Sequence, residues 1–172
     1  LRPALEHHEL DGKGLALGID ALAVLDGPAG CVEELGGFSQ QAAVLGSRRE
    51  AREELRLGPA QPVFALLPGS RASELDMHGD LVLRTAAVLH AARADARFLV
   101  PLATRPTRDR FESAIYRLGL EKLPLTLLYG HATDALRAAD VAVVASGTAT
   151  LEAALARCPH VIFYRVHPLT AR

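Results

Sequence analysis

Apolar positions come in short, regularly spaced runs along the chain from residue 62 onwards. Five such runs are apolar at nearly every position, and they cover residues 63–67, 98–101, 125–129, 141–145 and 160–164. The segments between them have helical character and cover residues 74–93, 106–118, 133–139 and 147–157. Strands that do not alternate with polar residues are typical of sheets covered by helices on both faces. The pattern therefore predicts an α/β fold with a doubly wound, mostly parallel sheet.

The helix predicted for residues 74–93 has one apolar side. That side carries Leu81, Thr85, Val88 and Leu89 at helical spacing. Connections between parallel strands are right-handed crossovers, and ligands of such sheets bind beyond the carboxyl ends of the strands. The loops that follow the five runs are therefore the places to look for a site.

The first 60 residues give a weaker pattern because glycines interrupt short apolar pieces. Residues 21–25 are a candidate strand, and residues 47–57 a candidate helix that Ser47 and Glu50 begin as a capping box. The interior of this helix is mostly a solvated face, with Arg49 and Arg56 at pairing distance from Glu53. We therefore divide the chain into an unassigned segment 1–60, which ends in this helix, and a partial Rossmann-like domain 61–172.

Composition excludes several classes of function. The chain has 172 residues, a formal net charge of −1, 5% aromatic residues and no Trp, which argues against a nucleic-acid partner. No apolar run reaches the ~18 residues of a membrane span, and the N-terminus does not resemble a signal peptide. The two cysteines, Cys31 and Cys158, form neither a disulfide framework nor a zinc motif, and Cys158 is predicted to be a small buried apolar residue.

The loop after the first run contains Gly69, Ser70 and Arg71 at the entry of a helix. Gly69 permits a tight turn, Ser70 offers a hydroxyl and a backbone N–H, and the planar guanidinium of Arg71 suits phosphate oxygens. A strand followed by such a loop is a candidate diphosphate cradle. The structural alternative is an ordinary turn in which Arg71 pairs with Glu74 or Asp76.

The loop after the fourth run opens a helix in the same manner and reads Ala145-Ser146-Gly147-Thr148-Ala149-Thr150-Leu151-Glu152. Unpaired N–H groups and the helix dipole favour anionic oxygens there, and hydroxyl groups add neutral hydrogen bonds. Glu152 is placed to accept hydrogen bonds from ribose hydroxyls. The structural alternative is helix capping by Ser146 or Thr148. The loop is neither a Walker motif nor a dinucleotide fingerprint, and no nucleophile elbow is present.

The seven histidines do not pair with cysteines or carboxylates at metal-ligand spacing, so no metal and no cofactor is expected. His131 follows Gly130 at a predicted strand end, where a ligand would sit. A role in beginning the next helix, or on the surface, is the alternative for His131.

Together the two loops resemble those of the lipid-A-disaccharide synthase family. The resemblance rests on LLPGSRASE, DVAVVASGTATLEAALARCP and VIFYRVHPLT, which occur in the family's order from about residue 63 to residue 170. It implies the C-terminal, Rossmann-like half of a two-domain GT-B glycosyltransferase. That family transfers 2,3-diacylglucosamine from UDP to 2,3-diacylglucosamine 1-phosphate without a metal, at the cytoplasmic face of the inner membrane.

The resemblance also implies roles for single residues. Arg71, with Gly69 and Ser70, matches the loop that neutralises the UDP leaving group, and Gly130 matches a glycine close to the uracil. Tyr164 matches a residue near the uracil or ribose. The loop and helix that hold the nucleotide match Ser146, Gly147, Thr148, Ala149, Thr150 and Glu152.

Parts of the family pattern are missing from this sequence. The acceptor half, with its general base, is absent, residues 1–45 match nothing known to us, and the chain begins with Leu1. We therefore expect a fragment that is inactive alone. The alternatives are another GT-B enzyme that uses UDP-N-acetylglucosamine, or a non-catalytic fragment.

Overall fold

The computed structural model describes residues 22–25, for which only the backbone is considered, and residues 47–164. Six strands form one sheet: β1 (Leu22–Leu25), β2 (Val63–Leu67), β3 (Arg97–Leu102), β4 (Leu125–Tyr129), β5 (Val141–Ala145) and β6 (His160–Phe163). Five helices lie within the described residues: α1 (Arg48–Glu54), α2 (Ala72–Ala92), α3 (Arg105–Leu118), α4 (Ala132–Ala138) and α5 (Thr148–Leu155).

The strand order is β1-β6-β5-β2-β3-β4, and the five strands from β2 to β6 are parallel to one another. Strand β1 pairs with β6 in the antiparallel direction and coincides with the strand expected at residues 21–25. The predicted doubly wound, mostly parallel α/β sheet is thus confirmed.

Both faces of the sheet are buried, which explains why its strands are apolar throughout. Along β2, Leu66 belongs to a core cluster beneath α2 and α3, whereas Ala65 and Leu67 belong to a cluster beneath α1, α4 and α5. Along β3, Phe98 and Leu99 divide between the same two clusters. Successive residues of a strand point to opposite faces, so a strand covered on both sides needs apolar residues at every position.

The helix expected at residues 47–57 is shorter than predicted. Ser47 and Glu50 form the expected capping box, but the helix ends at Glu54, and Arg56 has a left-handed backbone with φ 55°. Arg56 therefore lies beyond the helix. The expected pair between Arg49 and Glu53 is present, with Arg49 Nε 3.5 Å from Glu53 Oε1.

The prediction that α1 is mostly a solvated face is confirmed, except that Ala51 and Arg52 are buried, and Arg52 is only 6% exposed. Its guanidinium donates from Nε to the carbonyl of Ala138 at 2.9 Å and from Nη1 to that of Pro59 at 2.7 Å. Its Nη2 donates to Asp140 Oδ2 at 2.8 Å, and the same oxygen accepts from the backbone N–H of Val63 at 2.9 Å. This Arg52 network joins α1 to the amino ends of β2 and β5.

The apolar side of α2 is also displaced from the one predicted. Val88 is 62% exposed, while His78 and Gly79 are buried together with the aliphatic residues Leu75, Val82, Leu83 and Ala86. A histidine and a glycine thus form part of the buried stripe.

Cys158 is buried, as predicted, and the residue is 3% exposed. Burial raises the pKa of this thiol to about 11. Because the thiolate is the reactive form, we expect alkylation of Cys158 by iodoacetamide at pH 8 to be at least ~100-fold slower in the folded protein than in urea. Mass spectrometry of the Cys158 peptide measures both rates, and equal rates would contradict the burial described here.

Candidate functional site

The two loops singled out in the sequence lie side by side in the structure. Strands β2 and β5 are adjacent and parallel at the centre of the sheet, with Leu67 paired to Val144. Both strands therefore end at the same rim, and the loops that follow them line one cavity of about 380 Å³. This is the rim at which ligands of open α/β sheets bind.

Nine of the residues singled out in the sequence line this cavity: Gly69, Ser70, Arg71, Gly130, Ser146, Gly147, Thr148, Ala149 and Glu152. Thr150 and Tyr164 do not line it. The cavity also takes in residues that sequence analysis did not single out: Leu67, Glu74, Pro101, Ala103, Ala132 and Ala145. Most of these are small apolar residues near the carboxyl ends of neighbouring strands. Their position after predicted strands is the signal from which they could have been predicted.

The loop after β2 is shaped by close contact between Gly69 and Glu74. Gly69 has φ 125°, and a Cβ atom placed on it would lie 2.5 Å from Glu74 Oε2 and 2.6 Å from Glu74 Cβ. Only glycine adopts this backbone without strain, and only glycine leaves room for the glutamate.

Glu74 is the residue of the site that sequence analysis treated only as an alternative partner. Its Oε2 accepts from the backbone N–H of Ser70 at 2.7 Å and from that of Arg71 at 3.2 Å. Its Oε1 lies 3.3 Å from Arg71 Nη1. The alternative pairing of Arg71 with Glu74 is thus present. The pairing with Asp76 is not, since Asp76 accepts from Arg110 on α3.

These contacts have an electrostatic consequence. The donors expected to hold a diphosphate, two N–H groups and a guanidinium, all point towards a carboxylate in this structure. A carboxylate carries anionic oxygens in a planar fork, so the contacts indicate that the loop is suited to an anion. The Arg71 side chain remains 79% exposed and is accessible to a ligand.

The loop after β5 leads directly into α5. Gly147 is the N-cap of this helix, with φ 158°, and no side chain caps it. The alternative in which Ser146 or Thr148 caps the helix is therefore wrong. The first N–H groups of a helix have no intrahelical partner, so α5 presents unpaired donors where Thr148 and Ala149 line the cavity.

Two further hydrogen bonds fix this second loop. The backbone N–H of Ser146 donates to the carbonyl of Phe163, the last residue of β6, at 2.8 Å. The hydroxyl of Thr150 donates to the carbonyl of Gly147 at 2.7 Å. This bond explains why Thr150 is turned towards its own helix instead of the cavity.

The remaining candidates lie around the edge of the site. The N–H of Gly130 donates to the carbonyl of Leu102 at 2.9 Å, which ties the end of β4 to that of β3. Tyr164 directly follows β6 and is 55% exposed. His131 is the N-cap of α4 and its Nδ1 lies 2.9 Å from Asp134 Oδ2. The helix-initiating alternative for His131 is thus confirmed.

The charged side chains that line the cavity are Arg71, Glu74 and Glu152. Because Arg71 is paired with Glu74, an incoming anion must take the place of that carboxylate or share its donors. Over residues 47–164 and the β1 backbone, no cluster of three metal-ligating side chains occurs. The arrangement is able to bind an anion through backbone N–H groups and one guanidinium.

Comparison with known proteins gives a consistent match. Residues 40–172 match the family model described as lipid-A-disaccharide synthetase. A lipid-A-disaccharide synthase of Azoarcus sp. is 54% identical over 119 residues, which are 69% of this chain and 30% of the relative. That of Dechloromonas aromatica is 51% identical over 121 residues, 70% of this chain and 32% of the relative.

A more distant relative shows the same coverage. The lipid-A-disaccharide synthase of Neisseria meningitidis serogroup B is 45% identical over 123 residues, 72% of this chain and 32% of the relative. The chain thus spans about 30% of the length of the curated relatives it matches. From the family match over most of its length, the chain belongs to the lipid-A-disaccharide synthetase family.

Proposed function

We propose that this chain forms part of the donor-binding half of a lipid-A-disaccharide synthase. In this proposal the whole enzyme transfers 2,3-diacylglucosamine from UDP to 2,3-diacylglucosamine 1-phosphate, and this chain alone binds UDP without turnover. The observation that carries the proposal is the meeting of the β2 and β5 loops around one cavity at the carboxyl rim of the sheet. Family membership supports the synthesis of a lipid A disaccharide, and the donor and acceptor are those that the resemblance implies.

Each part of the donor is assigned to a part of the cavity. The diphosphate contacts the N–H groups of Ser70 and Arg71, the Arg71 guanidinium and the N-terminus of α5. Glu152 accepts hydrogen bonds from the ribose, and the uracil lies against the backbone at Gly130. Tyr164 is assigned to the outer edge of the nucleoside, since it follows β6 and is exposed. The remaining contacts with the nucleotide come from Gly69, Ser146, Gly147, Thr148 and Ala149, and Thr150 supports this loop through its bond to the Gly147 carbonyl.

Binding in this way requires Glu74 to give up its contacts. The glutamate holds the donors of the β2 loop in place while the site is empty, and the diphosphate oxygens then replace its carboxylate. The donors are thus oriented before the ligand arrives, which reduces the entropy lost on binding.

In the proposed reaction, the main task of the donor-binding half is to stabilise charge, not to transfer a proton. Departure of UDP leaves negative charge on the β-phosphate, and oriented donors stabilise that charge as it develops. In the whole enzyme, loss of one such donor is expected to lower kcat by ~10²-fold. The acceptor sugar and the general base are assigned to the other half that the family resemblance implies.

The whole enzyme is proposed to act in the cytoplasm at the surface of the inner membrane, because its substrates carry acyl chains. In the part of the chain that the structure describes, no helix is long and apolar enough to cross a bilayer. We propose that the whole enzyme contacts the membrane by peripheral association.

Replacing Arg71 with alanine tests the proposal. We expect the Kd for UDP, measured by isothermal titration calorimetry, to rise ~10-fold or more, because hydrogen bonds to a charged group contribute ~1.5–3 kcal/mol. The matched control is Arg93→Ala at the other end of α2, where an exposed guanidinium pairs with Asp95. That variant is expected to bind UDP like the wild type.

The choice of ligand separates the competing functions. UDP-2,3-diacylglucosamine is expected to bind at least as tightly as UDP, whereas a preference for UDP-N-acetylglucosamine would favour a different GT-B enzyme. Equal affinity of Arg71→Ala and wild-type protein for UDP would refute the assignment of the β2 loop. Turnover of both substrates by this chain alone would refute the expectation that it is inactive.

A further inference from the structure

His78 is a buried histidine on α2 that lies directly behind the β2 loop. It is 4% exposed, and its Nδ1 is 3.0 Å from the carbonyl oxygen of Pro68. A carbonyl oxygen only accepts hydrogen bonds, so Nδ1 carries the proton and donates it. Pro68 immediately precedes Gly69, and this bond therefore fixes the peptide from which the loop departs.

The burial of His78 is costly for the fold. Its Nε2 is buried and has no hydrogen-bond partner among the residues described. A buried polar atom without a partner destabilises the fold, and a leucine or phenylalanine at this position would avoid that cost. The bond to Pro68 is the interaction that offsets this cost.

The same ring also contacts the last residue of β6, Phe163. It packs edge-on against Phe163, with ring centroids 5.2 Å apart and an interplanar angle of 82°. The carbonyl of Phe163 accepts the N–H of Ser146, the first residue of the loop after β5. One side chain thus lies between the two loops and holds the first directly and the second through β6.

We propose that His78 is a positioning residue for diphosphate binding. It orients the Pro68 carbonyl away from the cavity rim, so that the following N–H groups of Ser70 and Arg71 face the ligand. It also fixes the distance of these groups from the α5 N-terminus through Phe163. The inference rests on the proposed function, in which these two loops hold the diphosphate of UDP.

The test compares His78→Phe with His78→Asn. Phenylalanine keeps an aromatic ring against Phe163 but removes the donor, whereas the amide of asparagine offers a donor close to the position of Nδ1. We expect His78→Phe to raise the Kd for UDP ~10-fold, the equivalent of one hydrogen bond, and His78→Asn to stay within ~3-fold of the wild type. His90→Phe, on the same helix, is the matched control and is expected to leave the Kd for UDP unchanged.

A comparison of UDP with uridine distinguishes a positioning role of His78 from a role in stability alone. Uridine lacks the diphosphate, so its affinity, measured by NMR titration, is expected to change less than ~2-fold in His78→Phe at a temperature where all variants are folded. Hydrogen exchange of the Ser70 and Arg71 amides is expected to be faster in His78→Phe than in His90→Phe.

The possible failures are separable. If the wild type binds UDP and Arg71→Ala weakens it, but His78→Phe binds UDP like the wild type, the role of His78 is refuted and the proposed function stands. Equal weakening of UDP and uridine, or failure of His78→Asn to restore binding, also refutes the positioning role. If the wild type does not bind UDP, both proposals fail together.

Discussion

Substituting Gly69 with alanine is expected to destabilise the protein by ~2–4 kcal/mol and to raise the Kd for UDP more than 10-fold. Two effects add at this position. The backbone has φ 125°, a conformation that L-residues rarely adopt, and the new methyl group would lie 2.6 Å from Glu74 Cβ. Because Glu74 Cβ is attached to the helix backbone, the loop itself must move. The donors of Ser70 and Arg71 would move with it.

Urea denaturation and UDP titration measure the two effects separately. Gly79→Ala on α2 is the matched control, because its added Cβ meets only Phe111 Cδ2 at 3.9 Å, an ordinary contact. In the interior of a helix this change is expected to be neutral or stabilising by up to ~1 kcal/mol. A Gly69→Ala protein with unchanged stability and affinity would show that the loop is not constrained as described.

The second large effect is expected from Arg52→Ala, which should lower the free energy of unfolding by ~3 kcal/mol. The substitution leaves the carbonyls of Ala138 and Pro59 without their donor and removes one of the guanidinium groups that pair with Asp140. This loss of stability is at the lower end of the range for breaking a buried ion pair, because the Asp140 side chain is 40% exposed and still pairs with Arg48.

Lysine at position 52 is expected to restore less than half of this loss, since one ammonium group does not reach three acceptors in different directions. Arg49→Ala on the same helix is the control. Its side chain is 84% exposed, and its pair with Glu53 is expected to contribute less than ~0.5 kcal/mol. Urea denaturation followed by circular dichroism measures all three variants, and equal stability of Arg52→Ala and Arg49→Ala would contradict the network.

The strands were predictable from sequence because the physics that selects them is local. A strand buried on both faces is an uninterrupted apolar run, and β2 and β5 begin and end at the expected residues. Glycine and proline mark the turns between the runs. The order of the strands in the sheet was not predicted, since it depends on contacts between residues far apart in the chain.

Arg52 and His78 were missed for a different reason. In sequence each is a polar residue on a helix, and a polar residue indicates the solvated side. Their burial depends on acceptors elsewhere: the partners of Arg52 include Ala138 and Asp140, which are 86 and 88 residues away. The hydropathy of a single residue does not reveal which distant groups it will bind in the fold.

The site was predictable to the extent that topology determines it. Parallel strands bring their carboxyl ends to one rim, so the Gly69 and Gly147 loops had to lie at the same edge. The side-chain directions within the loops were not predictable. Glu74 turns back onto the Ser70 N–H, and Thr150 turns onto the Gly147 carbonyl, because each satisfies a backbone group a few residues away.

The Arg52 network lies at the amino ends of β2 and β5, and the cavity lies beyond their carboxyl ends. The two regions share strands but no side chains. Substitutions in the first region that leave the protein folded are therefore expected to change its resistance to heat without changing its affinity for UDP.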